Sequence, residues 1–273
     1  MNRPDPAQAA PTTAAAGQAG SAPLLQLDGV SVAFAGLKAL TGVSFGLRAG
    51  QIAAVIGPNG AGKSTLFNAV TGYVPLSAGT VRFEGRDLAG MPPHRISALG
   101  MRRTFQNGGI FGSMTVLENV LTGLNQQTAS SPAGIVFGLP GARRAEAQAA
   151  RRAMELLDLL GLAGLAGRVA ADLSSGQQRI VEITRALAAR AQLLLLDEPA
   201  VGLSAHERDQ LVEVLRRLAR EGVAVLLVEH TIDMVMAVSE KVVVLNYGQV
   251  IADGAPAEIR AHPAVLEAYL GQQ

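Results

Sequence analysis

Gly57-Pro58-Asn59-Gly60-Ala61-Gly62-Lys63-Ser64-Thr65 completes the pattern G-x-x-x-x-G-K-[ST], set between an unbroken apolar run, Ile52–Ile56, and a stretch with helical spacing, Lys63–Val70. The apolar run reads as a buried strand, so the order is strand, glycine loop, helix. Glycines let backbone N–H groups close around phosphates, and the following helix N-terminus adds partial positive charge. Lys63 supplies a full charge to the β- and γ-phosphates, and the Ser64 hydroxyl can ligate Mg²⁺. The segment therefore predicts an α/β core that binds a nucleoside triphosphate.

The rest of the chain fits such a core. From Leu24 to Ile56, short β-like runs alternate with glycine turns, as expected of antiparallel strands with one covered face. Thr80–Phe83 returns as a strand. Between about Met101 and Leu173 the period becomes helical, with apolar residues spaced for helices over Thr115–Leu124 and Arg143–Leu160. The Ser/Pro/Gly-rich stretch Thr128–Gly141 between them reads as a surface loop. Strands at Leu193–Leu196, Val223–Val228 and Lys241–Asn246 then alternate with helices at His206–Arg220 and Thr231–Val238, which implies right-handed parallel crossovers. No internal repeat is visible.

Composition narrows the partners. The 273 residues are 49% apolar, yet no apolar run approaches the roughly 18–20 residues that span a bilayer. A role at a membrane would thus be peripheral. The net charge of +1 gives no global field to recruit nucleic acid or anionic lipid. Without Cys there is neither a disulfide frame nor a thiolate metal site. Residues 1–23, rich in Ala, Pro, Gln and Gly and lacking the features of a secretory signal, read as a disordered lead-in.

Two further segments carry chemistry. Asp197 ends a four-leucine strand, where burying a carboxylate is costly unless it has a task; holding Mg²⁺ through water is the task expected of it. Glu198 follows on the other side, placed to polarise an attacking water. Ser174 is expected to cap the helix Gly176–Ala189, so Ser174, Ser175 and Gly176 form a second anion site from a hydroxyl and free N–H groups. One chain cannot bring both this site and the phosphate loop onto one nucleotide.

Leu173-Ser174-Ser175-Gly176-Gln177 is close to the LSGGQ signature of ATP-binding cassette (ABC) proteins, and it stands in that family's order between the phosphate loop and Asp197-Glu198. From Leu24 to Gly271 the chain resembles an ABC transporter ATP-binding subunit. The resemblance implies a P-loop NTPase core of ABC type with an antiparallel β subdomain and a helical signature subdomain, about residues 101–190, within a cassette spanning 24–271. It implies ATP and Mg²⁺ as cofactors and two ATPs sandwiched in a dimer, each signature contacting ATP on the opposite subunit. Gln106 matches the Q-loop, which senses the γ-phosphate and Mg²⁺ and links to the membrane partner. His230 matches the switch histidine, and Phe34 the aromatic that stacks on adenine. The catalytic set implied is Glu198, His230 and Gln106, with Ser64, Gln106 and Asp197 at the metal.

More narrowly, RTFQ (Arg103–Gln106), MTVLENV (Met114–Val120), DEPAVGL (Asp197–Leu203) and the closing segment Gly254–Gly271 are similar to the branched-chain amino acid uptake group. Lipopolysaccharide-export and urea-uptake ATPases share much of that closing segment and are the alternative readings; a soluble non-transport ABC ATPase is a more distant one. The implied partners are transmembrane permease subunits, a second ATP-binding subunit (identical or homologous) and, indirectly, an external solute-binding protein. The implied location is the cytoplasmic face of the plasma membrane. Two residues depart from the family pattern. Ser175 stands where Gly is commoner, and Ser204 where many members carry the D-loop Asp.

Overall fold

The computed structural model describes residues 22–104, 109–124 and 140–270. Gln106, the lead-in up to residue 21 and the 128–141 loop up to residue 139 lie outside them. Four strands form an antiparallel sheet in the order β2-β1-β4-β5: β1 (Leu25–Phe34), β2 (Leu37–Leu47), β4 (Ala78–Phe83) and β5 (Arg86–Asp87). A six-stranded sheet contains β3 (Ile52–Ile56), β6 (Met101–Arg103), β7 (Leu193–Asp197), β8 (Ala224–Val228), β9 (Lys241–Asn246) and β10 (Gln249–Gly254). Its order is β10-β9-β3-β8-β7-β6, parallel throughout except where β10 meets β9. The helices are α1 (Lys63–Val70), α2 (Pro93–Ala98), α3 (Val116–Leu124), α4 (Pro140–Leu159), α5 (Ser175–Ala188), α6 (Ala205–Arg220), α7 (Ile232–Val238), α8 (Pro256–Arg260) and α9 (Pro263–Leu270).

The parallel strands are apolar on both faces because both are covered. Alternate residues serve opposite cores. Ile52, Ala54, Ile56, Leu194, Leu196, Val225 and Leu227 pack with the helical side, including Val120 of α3, Leu157 of α4, Ile183 of α5 and Leu215 of α6. Ala53, Val55, Leu193, Leu195, Leu226 and Val228 face Leu66 and Phe67 of α1 together with Leu25, Leu40 and Phe83 of the antiparallel sheet. Each fully buried Leu or Val stabilises the fold by about 1.5–3 kcal/mol relative to exposure. A one-residue slip of β7 would exchange the two cores, so its register is fixed by burial on both sides.

Helix starts follow local chemistry. Ser174 accepts from the Gln177 N–H while Gln177 Oε1 accepts from the Ser174 N–H, a capping box at α5. Ser204 and Glu207 repeat it at α6. Thr115 and Glu118 do so at α3, leaving Thr115 as the cap of the helix expected to include it. Helix α4 begins at Pro140, ahead of the expected Arg143, because proline's fixed φ and missing N–H suit a first helical position. Among the described residues no helix is long and apolar enough to cross a membrane.

Candidate nucleoside triphosphate site

The carboxyl ends of β3, β7 and β8 carry the phosphate loop, Asp197-Glu198 and Glu229-His230 to one edge of the six-stranded sheet, where ligands of open α/β sheets bind. At Gly57, φ is 152° and a Cβ would lie 2.1 Å from the Leu245 carbonyl oxygen, so only glycine lets the chain leave β3 in this direction. Gly57 and Pro58 are buried; Asn59 and Gly60 form the exposed loop tip, followed by buried Ala61 and half-buried Gly62. Ser64 is exposed and Thr65 half-buried in the first turn of α1. The Tyr269 hydroxyl of α9 meets the Gly57 backbone, so the closing segment of the chain braces the loop; burial pushes this phenol's pKa up.

Lys63 is 7% exposed, and its Nζ donates to the carbonyl oxygens of Gly57 (2.6 Å) and Pro58 (2.9 Å). Burial lowers its pKa, opposed by the nearby charges of Glu198 and Asp197. The loop, its lysine and the two acids are thus one electrostatic unit. Arg103 Nη2 donates to Asp197 Oδ2 at 2.9 Å, with both side chains less than a tenth exposed. The same guanidinium donates to Asn68 Oδ1 at 2.6 Å and lies 5.5 Å from the Phe67 ring centroid, joining β6 and β7 to α1. Asp197 Oδ1 is buried without a hydrogen-bond partner among the described residues. A buried acceptor left over beside the phosphate loop, with the Ser64 hydroxyl exposed in the same unit, fits the donor set a hydrated Mg²⁺ takes.

Glu198 is half-buried with φ 49°, a left-handed conformation that costs a non-glycine residue of order 1–3 kcal/mol. Its N–H bonds to the Val228 carbonyl at 2.9 Å, and its Oε1 lies 3.2 Å from His230 Nε2. Directly before His230 in the chain is Glu229, 1% exposed, whose Oε1 accepts from the Ala200 N–H (2.7 Å) and whose Oε2 accepts from the N–H groups of His230 and Thr231. Glu229 fixes the loops after β7 and β8 to each other. It was not among the sequence candidates; a carboxylate directly after five apolar strand residues is the signal that marks it.

The remaining candidates lie elsewhere. Phe34 ends β1 on the antiparallel sheet, 48% exposed, while Ala39 and Leu40 of β2 press against Gly62. Ser174 and Ser175 are exposed and Gly176 is buried. The polar partners of Ser174 and Gly176 include Gln177, Gln178 and Glu207, none of them in the phosphate loop. Gly176 N–H donates to Glu207 Oε1 at 2.9 Å, and a Cβ on Gly176 would sit 2.8 Å from Glu207 Cβ and Cγ. Glu207 is the second residue the sequence reading missed. Gln106 lies outside the described residues.

Comparison with known proteins places this geometry. The profile of a family described as ABC transporter matches residues 40–201. A second, described as branched-chain amino acid ATP-binding cassette transporter, matches residues 249–273. The high-affinity branched-chain amino acid transport ATP-binding protein BraF of Pseudomonas aeruginosa is 40% identical over 253 residues, covering 92% of this chain and 99% of its own. LivG of Salmonella typhimurium, described in the same words, is also 40% identical with the same coverage. Among solved structures, an ATP-binding cassette of an ABC transporter in its ADP conformation superposes with a TM-score of 0.79 at 32% identity, over 92% of this chain and 100% of that one.

Proposed function

The chain belongs to the ABC transporter family and is an ATPase of the kind that couples hydrolysis to transport, and we propose that it serves an importer of branched-chain amino acids or similar small solutes. The observation that carries the catalytic reading is the convergence of Lys63, Asp197, Glu198 and His230 at the ends of three adjacent strands. The solute class rests on the two relatives' descriptions and on the family that matches the closing segment.

In this reading the loop from Gly57 to Thr65 wraps the ATP phosphates with backbone N–H groups, and Lys63 exchanges its carbonyl partners for phosphate oxygens. Bound Mg²⁺ would neutralise charge on the β- and γ-phosphates; Ser64, Asp197 through water, and Gln106, by its match to the Q-loop, would hold it. Glu198 takes the proton of the attacking water, and His230, its Nε2 3.2 Å from Glu198 Oε1, steadies the γ-phosphate. Phe34 offers its exposed ring to the adenine. Catalysis here is positioning and electrostatics. Lys63→Ala should weaken ATP binding about tenfold or more, because it removes charge-assisted hydrogen bonds of roughly 1.5–3 kcal/mol each. Titration with a fluorescent ATP analogue checks this, and wild-type affinity in the variant would remove Lys63 from its role.

Two such cassettes close on two ATPs, because Ser174, Ser175, Gly176 and Gln177 form an anion site whose polar partners among the described residues include none from the phosphate loop. The cassette spans 24–271, with residues 101–190 as its helical subdomain. It works peripherally at the cytoplasmic face of the plasma membrane, against permease subunits fed by an external solute-binding protein. To the permease we assign the face carrying a groove of about 400 Å³ between β6 and α5, lined by Arg102, Phe111, Thr122 and Arg185.

The test is a mild-detergent pull-down of Glu198→Gln with ATP, its partners identified by mass spectrometry. Two different permeases with a second ATP-binding chain are expected. Lipopolysaccharide-export components instead would move the assignment to export, and no membrane protein at all would overturn the transport role.

A further inference from the structure

The Glu207 carboxylate is divided between two helices. Its Oε2 accepts from the Ser204 N–H and the Ser204 hydroxyl, both at 2.9 Å, within the capping box of α6. Its Oε1 accepts from the Gly176 N–H of α5, and the Ser174 hydroxyl lies within hydrogen-bonding reach of the same carboxylate. Ser174 and Gly176 are the donors that make the start of α5 an anion site. In this conformation the anion on that site is this chain's own carboxylate.

The fit is close. The missing side chain of Gly176 is the space that Glu207 Cβ and Cγ occupy, since a Cβ there would meet both at 2.8 Å. Four donors acting on one carboxylate hold the Glu207 pKa down to about 2, the Ser204 and Gly176 N–H groups contributing most. Glu207 therefore stays ionised throughout the working pH range. A γ-phosphate approaching Ser174 and Gly176 meets a like charge already hydrogen-bonded to them. Only Oε1 has to leave, however; the bonds from Oε2 to Ser204 can persist, so release amounts to a side-chain rotation that leaves the α6 cap in place.

We propose that Glu207 is an intramolecular occupant of the signature, holding Ser174 and Gly176 in the open chain until the γ-phosphate on the partner subunit displaces it. This rests on the two-cassette reading above. It makes Glu207 a positioning residue that sets the ATP concentration at which the dimer closes, without touching the reacting atoms. Ser204, which replaces the D-loop Asp of many members, contributes directly: its N–H and hydroxyl keep Glu207 aimed at α5.

The test compares Glu198→Gln with Glu198→Gln/Glu207→Gln, so that ATP is not consumed, and reads dimer mass by light scattering against ATP concentration. Glutamine preserves the capping box but removes the charge. The expected result is a dimerisation midpoint about tenfold lower in ATP, the size of one charge-assisted hydrogen bond no longer in competition. An unchanged or raised midpoint would overturn the proposal, since a carboxylate that merely braces α5 against α6 weakens closure when removed. Glu207→Asp, which keeps the charge but is one methylene shorter, should also lower the midpoint; parental behaviour would show that contact with Gly176 is irrelevant and would sink the idea. A gain in dimerisation cannot arise from a failure to fold. Binding of a fluorescent ATP analogue to dilute monomers separates the two failures: ATP-bound parent that never dimerises defeats the two-cassette reading and the proposal with it, whereas a parent that dimerises normally with an unmoved midpoint in both variants defeats the proposal alone.

Discussion

Glu198→Gln should lower the maximal rate of ATP hydrolysis by about 10²–10⁴-fold, the range set by losing a positioned general base. The substitution is nearly isosteric. Glutamine can take the same left-handed backbone position (φ 49°) and keeps a side-chain oxygen to face His230 Nε2, which lies 3.2 Å from Glu198 Oε1. What it lacks is a carboxylate to receive the proton of the attacking water. The phosphate loop, Lys63 and Asp197 are untouched, so ATP affinity measured with a fluorescent analogue should stay within the wild-type range while phosphate release falls. ATP then persists in the closed state, and the dimer accumulates by light scattering. A variant that releases phosphate at the wild-type rate would dismiss Glu198 as the base. A variant that loses ATP binding along with turnover would instead make it part of the binding surface. A fall in rate without a fall in affinity separates these outcomes, because only an interaction made in the transition state affects the rate alone.

The local parts of this site were legible in the sequence, and the reason is that their physics is local. Ile52–Ile56 reads as a buried strand, Lys63–Val70 as the helix after it, and both stand at those residues. Ser174 reads as a cap because a side-chain oxygen there satisfies N–H groups within its own turn. The same rule applied to Ser204 and Glu207 finds the capping box, but nothing in the rule points a carboxylate oxygen at Gly176, 31 residues away. The Arg103–Asp197 pair is similarly hidden, its partners 94 positions apart and joined only by the parallel pairing of β6 with β7. Tyr269 could be seen as part of a family-like closing segment, but not as a brace on Gly57, because that contact depends on how α9 returns to the end of β3. Helix and strand signals lie within a few residues; these contacts follow from the order of strands in the sheet.

That order makes Arg103 the source of the second large effect. Arg103→Met should destabilise the chain by about 3–5 kcal/mol, the usual cost of leaving one member of a buried ion pair without its partner. Methionine keeps much of the length and apolar contact of the arginine stem, so the loss isolates the guanidinium. Asp197 is poorly placed to tolerate that loss: its side chain is 8% exposed, its Oδ1 has no hydrogen-bond partner among the described residues, and its Oδ2 is the atom Arg103 serves. The same replacement also removes the bond to Asn68 and the cation held over Phe67, which tie α1 to the sheet. Urea unfolding of nucleotide-free protein should therefore show a lower midpoint, with catalysis playing no part in the measurement. Adding Asp197→Asn should recover a substantial part of the deficit, because the neutral amide no longer needs a cation; the two changes in contact should be far from additive. A single-variant loss below about 1 kcal/mol is the value of an exposed pair, and it would mean that water reaches Asp197 freely. The buried carboxylate that the Mg²⁺ reading requires would then be absent. Stability in the absence of nucleotide thus tests the same side chain that catalysis would use.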